Sequence, residues 1–393
     1  MNKRHFKALI VGGGHAGAQT AIALRQASFD GSIGIVGDEP ILPYERPPLS
    51  KDYLQGLMPF EQIMIRSAEF WKSQNVAMLL GNRVVSIEPA SRLIMTDGRE
   101  TIGYDKLIWA TGGTPCHLPS LRSDLRGVHY IRACADVDRL MSELPTARKI
   151  AVIGGGFIGL EAAAVFRKIG KEVVLLEALD RVLARVSGEP ISRFFEAAHR
   201  AHGVDLRFGV RINGLEGDDA LRVTGVRLSN GELVEADIVV VGIGILPAVG
   251  PLLAAGAEGG KGVRVDAQCR TSLPDVFAVG DCALHANRFA DGQVIRLESV
   301  QNAHDQATVA AKVIAGRDVK YDCLPWFWSN QYDLKLQTVG ISAGFDDLIV
   351  EGDPSEASFS VAYTKAGRII AVDCVNAPRD YVKAHKVVRG NFS

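Results

Sequence analysis

Two glycine runs of identical spacing, Gly12-x-Gly14-x-x-Gly17 and Gly154-x-Gly156-x-x-Gly159, are the residues of this 393-residue chain best suited to chemistry. Glycine lets a backbone approach a phosphate closely, and a helix starting on such a turn aims its unpaired amides at the anion. One such run is a weak signal, but each copy here lies between a short apolar stretch, residues 8–11 or 150–153, and an Ala-rich helical stretch. A second strand follows each helix and ends in acid, residues 32–36 before Asp38 and Glu39, and residues 172–176 before Glu177. A carboxylate at that strand end accepts from ribose hydroxyls, so two dinucleotides are implied. Spacing selects Asp38 for the first. Glu177 favours the free ribose of NAD and repels the extra phosphate of NADP, and the nearest cations, Arg181 and Arg185, come several residues later.

The elements that must position these loops recur as well. Asp97-Gly98 and Asn230-Gly231 are hairpin signals, and each hairpin leads into an apolar strand, residues 107–112 and 238–244. A further strand over 276–279, ending in Gly280-Asp281, and a helix over about 301–315 have no partner in the second copy. They are expected to return to the first domain. From about residue 321 the pattern alternates, as in 358–363 and 369–375, which suits antiparallel strands.

Composition bounds the class. With 47% apolar and 23% charged residues the chain should fold, and at roughly 150 residues per domain it predicts two or three domains. A net charge of −1 supplies no overall field for nucleic acid or acidic lipid. Six scattered cysteines, with no CxxC, no CxxxxC and no metal-ligand spacing, predict reduced thiols and no metal site. The basic N-terminus, residues 2–7, is superficially like a signal peptide, but the glycine run breaks the apolar core such a peptide needs. Residues 238–257 carry no charge over a membrane-spanning length. Gly242, Gly244, Gly250, Gly256, Pro247 and Pro251 instead predict a buried strand, a loop and a short helix. A soluble cytoplasmic protein with no membrane and no nucleic-acid partner is expected.

The segment Tyr44-Glu45-Arg46-Pro47-Pro48-Leu49-Ser50-Lys51 is more specific. Together with Ala110-Thr111-Gly112-Gly113, Gly280-Asp281, Glu298-Ser299-Val300-Gln301-Asn302-Ala303 and Pro325-Trp326-Phe327-Trp328-Ser329, it resembles the FAD-dependent ferredoxin-NAD(+) reductases. That family includes putidaredoxin reductase and the reductase components of Rieske-type dioxygenases. The resemblance runs over nearly the whole chain. It implies a glutathione-reductase-like α/β architecture, with a discontinuous FAD-binding domain (1–110 and 245–320), an inserted NAD-binding domain (111–244) and a C-terminal α+β domain (321–393). It implies FAD contacts at Gly12, Gly14, Ala16, Gly17 and Asp38, at Val84 by the adenine, and at Arg46, Ala110, Thr111, Gly112, Arg132 and Asp281. Lys51 would bond near flavin N5 and pair with Glu161, and these two are the expected catalytic residues. Val300 would begin a helix whose amides face the N1/O2 edge, where reduced flavin is negative, and Trp328 would cover the flavin. Gly154, Gly156, Gly159, Glu177 and Gly244 are the expected NAD contacts.

The resemblance also implies the reaction. NADH gives two electrons as a hydride, whereas a [2Fe-2S] ferredoxin takes one at a time, so FAD must stand between them. The ferredoxin, itself acidic, would supply a Rieske dioxygenase or a cytochrome P450 and would meet a basic face, for which Arg288, Arg296, Lys335, Arg379 and Lys383 are candidates. His15 and His304 read as structural. Competing expectations are an NADH oxidase, an apoptosis-inducing-factor-like NADH flavoprotein, and a flavin-bound redox sensor without sustained turnover. The absence of cysteine from the first glycine loop and helix weighs against the peroxide- and disulfide-reducing branches.

Overall fold

The computed structural model describes residues 4–117 and 125–392, so Asn2 and Lys3 of the basic N-terminus lie outside the described residues. The chain divides into two units, the first made of Met1–Glu45, Glu61–Thr114 and Leu246–Pro325, the second of Arg46–Phe60, Pro115–Ile245 and Trp326–Ser393.

In the first unit a seven-stranded sheet is built on the strand His5–Val11. Ile33–Val36 pairs parallel on one side, carrying Val76–Leu79 beyond it, and Thr101–Trp109 pairs parallel on the other. Buried on both faces, these strands read as continuous apolar runs, which is why the sequence shows no alternation there. Leu93–Thr96 and Val84–Glu88 extend the sheet as antiparallel strands, and Val276–Ala278 returns to pair parallel with Thr101–Trp109. The helices His15–Gln26 and Val300–Ile314 pack together over one face.

One element differs from its expected form. The hairpin arm and the apolar strand expected as separate pieces are one nine-residue strand, Thr101–Trp109. Its beginning pairs antiparallel with Leu93–Thr96 and its end parallel with Val276–Ala278. Asp105 and Lys106 interrupt the apolar pattern without interrupting the strand, because both find partners at its edge. Asp105 lies 2.7 Å from His5 Nε2 and 2.8 Å from Lys7 Nζ, whose hydrogen bonds hold its carboxyl below the usual range, and Lys106 pairs with Asp275.

The second unit contains a five-stranded parallel sheet in the order Val204–Arg207, Glu172–Leu176, Lys149–Ile153, Ile238–Val241, Val128–His129. An antiparallel sheet of Ile212–Gly217, Val223–Leu228 and Leu233–Glu235 carries the expected Asn230-Gly231 hairpin. The C-terminal residues form five antiparallel strands in the order Trp326–Gln331, Leu334–Gly340, Arg368–Val375, Ser358–Lys365, Asp347–Asp353, with the helix Pro378–Asn391 packed on them. The uncharged stretch is divided among the strands Ile238–Val241 and Ile245–Pro247 and the helix Gly250–Ala254. Among the described residues no helix is long and apolar enough to cross a membrane.

Both glycine loops depend on backbone lying against backbone. Gly12 adopts φ +111°, and a Cβ there would stand 2.4 Å from the Ala110 carbonyl oxygen, while one at Gly17 would stand 1.9 Å from the oxygen of Gly12. The helix can leave the strand at this angle only without side chains at those two positions. Gly17→Ala is therefore expected to cost about 3 kcal/mol or more, read as a lowered midpoint in denaturant unfolding.

Candidate functional site

In the first unit the glycine loop Gly12–Gly17 lies against the neighbouring strand, with the Gly12 amide donating to the Val36 carbonyl at 2.7 Å. The helix His15–Gln26 is capped by Gly14, which brings no side-chain acceptor. Ala16 and Gly17 are buried beneath the loop. At the end of the neighbouring strand Asp38 is exposed, while Glu39 accepts a hydrogen bond from the Tyr44 hydroxyl at 2.6 Å. Ala110, Thr111 and Gly112 continue the strand Thr101–Trp109, where the Thr111 hydroxyl donates to the Ala248 carbonyl at 2.9 Å. Val84 is buried at the start of the outermost strand.

Gly280-Asp281 is pinned to the helix that begins at Val300. The Gly280 amide donates to Gln306 Oε1 at 2.8 Å, and Gln306 Nε2 lies 3.2 Å from His285 Nδ1. Burial pushes His285 down to about 4, so it is neutral at working pH. Ser299 caps the helix by accepting from the Asn302 amide at 3.1 Å. Sequence reasoning passed over Gln306 and His285, which carry no motif of their own.

The second unit presents the other nucleotide loop. Gly156 caps the helix Phe157–Lys168 without a side-chain acceptor, and a Cβ there would meet nothing within 4 Å. Glu177 is fixed on the loop, with Oε2 accepting from the Gly155 amide at 2.6 Å and Oε1 from the Leu179 amide at 2.8 Å. Gly154 and Gly159 repeat the close backbone approach, and Gly244, at φ +103°, follows the strand Ile238–Val241. Arg181 donates to Ser187 O at 2.9 Å, Ser192 Oγ at 2.5 Å and Ala184 O at 3.2 Å. Its guanidinium is thus held by three acceptors of its own unit, while Arg185 stands exposed.

The same unit brings Lys51 and Glu161 together. The Lys51 ammonium lies 2.5 Å from Glu161 Oε2 and 3.2 Å from the Pro47 carbonyl. Glu161 is only 2% exposed, and two hydroxyls complete its shell: Ser50 donates to Oε2 at 2.5 Å and Ser329 to Oε1 at 2.6 Å. Periodicity explains the meeting. Phe157 and Glu161 lie four apart on one helix face, and Phe327 and Ser329 two apart on one strand face; the two aromatic rings are 4.5 Å apart between centroids. Trp328 projects from the opposite strand face and is half-buried, with Trp326 at 5.5 Å. Arg46 donates to the Arg132 carbonyl, which ties those two positions together. Ser50 and Ser329 sit inside the motifs singled out from sequence, and only their neighbours had been given a role.

Of the cations expected to face a partner, three are engaged locally. Arg288 pairs with Asp322 at 2.6 Å, Arg296 with Glu298 at 2.7 Å and Lys383 with Asp380 at 3.1 Å. Arg296 also donates to the Asp281 carbonyl, which makes it part of the Gly280-Asp281 turn.

Comparison with known proteins supplies relatives for this arrangement. The model for pyridine nucleotide-disulphide oxidoreductases matches residues 6–307, and that for the reductase C-terminal domain matches 326–392. The chain is 53% identical to the ferredoxin reductase subunit of a 5,5'-dehydrodivanillate O-demethylase from Sphingobium sp., covering 98% of this chain and 93% of that one. It is 55% identical to a ferredoxin--NAD(P)(+) reductase from Sphingomonas sp., covering 99% and 94%. Among solved structures it matches a covalent putidaredoxin reductase-putidaredoxin complex with TM-score 0.95 and 35% identity, over 99% of this chain and 93% of that one.

Truncating one member of the buried pair strands the other. Glu161→Ala is expected to destabilise the protein by about 3–5 kcal/mol because the Lys51 ammonium loses its counter-charge, whereas the double variant Lys51→Met with Glu161→Gln recovers most of that loss in denaturant unfolding.

Proposed function

The chain belongs to the pyridine nucleotide-disulphide oxidoreductase family, and we propose that it is the FAD-dependent NADH reductase of a [2Fe-2S] ferredoxin that supplies an oxygenase. One observation carries this reading: a second dinucleotide loop, with Glu177 fixed upon it, in a chain whose sequence holds no CxxxxC pair. NADH can deliver, and without such a pair to take up the electrons we assign the outlet to an external carrier. The relatives named as ferredoxin reductases point to the identity of that carrier. Cysteines outside any disulfide also suit a reducing compartment, and we place the protein in the cytoplasm.

The residues fit the cofactors. The Gly12–Gly17 loop and the N-terminus of its helix would take the FAD pyrophosphate, Asp38 the ribose, and Asp281 the ribityl chain. When bound, FAD accepts a hydride and releases electrons singly. The Val300 helix would place its positive end against developing negative charge. We assign Lys51 the tuning cation, held in place by Glu161 and the Pro47 carbonyl, and Trp328 the covering aromatic. Gly154, Gly156 and Gly159 would hold the NADH pyrophosphate and Glu177 its ribose. No side chain acts as nucleophile.

The deciding experiment is an absorbance spectrum of the purified protein followed by NADH-driven cytochrome c reduction with and without a [2Fe-2S] ferredoxin. A flavin spectrum with ferredoxin-dependent turnover is expected; rapid oxygen consumption without ferredoxin would favour an oxidase. Glu177→Ala should erode the preference for NADH over NADPH about tenfold or more in kcat/KM, and an unchanged ratio would remove Glu177 from the ribose site. Lys51→Met should slow flavin reduction by NADH about tenfold while FAD stays bound, a result that stopped-flow absorbance reads directly.

A further inference from the structure

Behind Ser329 the second unit holds polar side chains that no part of the reaction yet uses. Gln331 Nε2 donates to Ser329 Oγ at 3.3 Å, Gln331 Oε1 lies 2.8 Å from His199 Nε2, and the Tyr332 hydroxyl lies 3.1 Å from His199 Nδ1. Ser329, Gln331 and His199 are all buried. The direction of every bond follows from the chemistry. A carboxylate only accepts, so Ser329 must donate to Glu161 and accept from Gln331. A carboxamide oxygen only accepts, so the ring hydrogen of His199 sits on Nε2. Nδ1 is then the acceptor, and the Tyr332 hydroxyl donates to it. Burial pushes His199 down to about 4, which keeps the ring in this neutral form. All four bonds thus point the same way, toward Glu161, and bonds so aligned polarise one another.

Tyr332 is the outer end of the series, and the backbone is strained to put it there. It turns between the strands Trp326–Gln331 and Leu334–Gly340 at φ +58°, unfavourable for an aromatic residue. Its ring stacks on His202 at 3.7 Å and 10°.

We infer that Tyr332, His199, Gln331 and Ser329 form a one-way hydrogen-bond chain that holds the negative charge of Glu161 and thereby positions the Lys51 ammonium. The four are positioning residues for flavin reduction. This rests on the assignment of Lys51 and Glu161 as the flavin-tuning pair.

The test measures, on full-length holoenzyme, the rate of flavin reduction by NADH and the flavin midpoint potential. Ser329→Ala is expected to slow reduction about tenfold, the loss of one hydrogen bond to a charge, and to shift the potential in the same direction as Glu161→Gln. Ser329→Thr, which keeps the hydroxyl, should restore the rate to within about twofold. Gln331→Leu and Tyr332→Phe should move both readouts the same way by successively smaller steps, a gradation that loose packing alone would not give. Tyr332→Phe removes a single oxygen from a half-buried turn, so it decides the matter even where a buried variant does not fold. Wild-type rate and potential in Ser329→Ala and Tyr332→Phe, with Lys51→Met impaired, would overturn the chain and leave the tuning pair standing. Wild-type behaviour in Lys51→Met as well would remove the pair itself.

Discussion

Burying a carboxylate is costly unless donors surround it, and in the second unit that requirement falls on Glu161. Its two oxygens receive Lys51, Ser50 and Ser329, which arrive from stretches of chain before and far beyond the helix that carries it. The segment Arg46–Phe60 is flanked on both sides by residues of the first unit yet belongs to the second. The Glu161 shell gives a physical reason: without Ser50 and Lys51 the carboxylate would keep one donor of three. The arrangement costs stability compared with apolar packing of equal volume, and what it secures is a cation at a fixed place.

A second constraint shapes both nucleotide loops. Gly12 lies against the Ala110 carbonyl and Gly154 against that of Gly242, in each case where the central strand meets its parallel neighbour. The two loops then diverge in their acid. Glu177 is folded back onto its own loop by two amides, whereas Asp38 stands exposed. The first carboxylate is preset by its own loop, and the second stands open to solvent.

The nucleotide loops and the elements around them were legible because their signals are local. Strand, glycine turn, helix and second strand follow within about thirty residues in each copy, and the hairpins announce themselves in Asp97-Gly98 and Asn230-Gly231, each inside a three-residue turn closed by Arg99 or Gly231 at positive φ. Thr101–Trp109 was harder, since Asp105 and Lys106 look like a break until their partners at residues 5, 7 and 275 are known. Lys51 and Glu161 carried a role only through family resemblance, and their spacing of 110 residues holds no pattern. Ser329, Gln331 and His199 were illegible for the same reason. A buried serine or glutamine looks like any other in a sequence, and its meaning comes from the carboxylate it faces.

Both units are discontinuous, and this orders events at the ribosome. The first unit's sheet receives Val276–Ala278 only after residues 115–245 have emerged, so its central strand Thr101–Trp109 waits with one edge incompletely paired. The second unit waits longer, because Ser329 and the sheet around it follow the segment that completes the first. Neither unit can finish before segments beyond the inserted residues are made, which delays the cooperative step and exposes open strand edges until then. Truncated products of interrupted translation would share those edges and fall to aggregation or proteolysis. Only chains that include both returning segments would then survive to carry electrons.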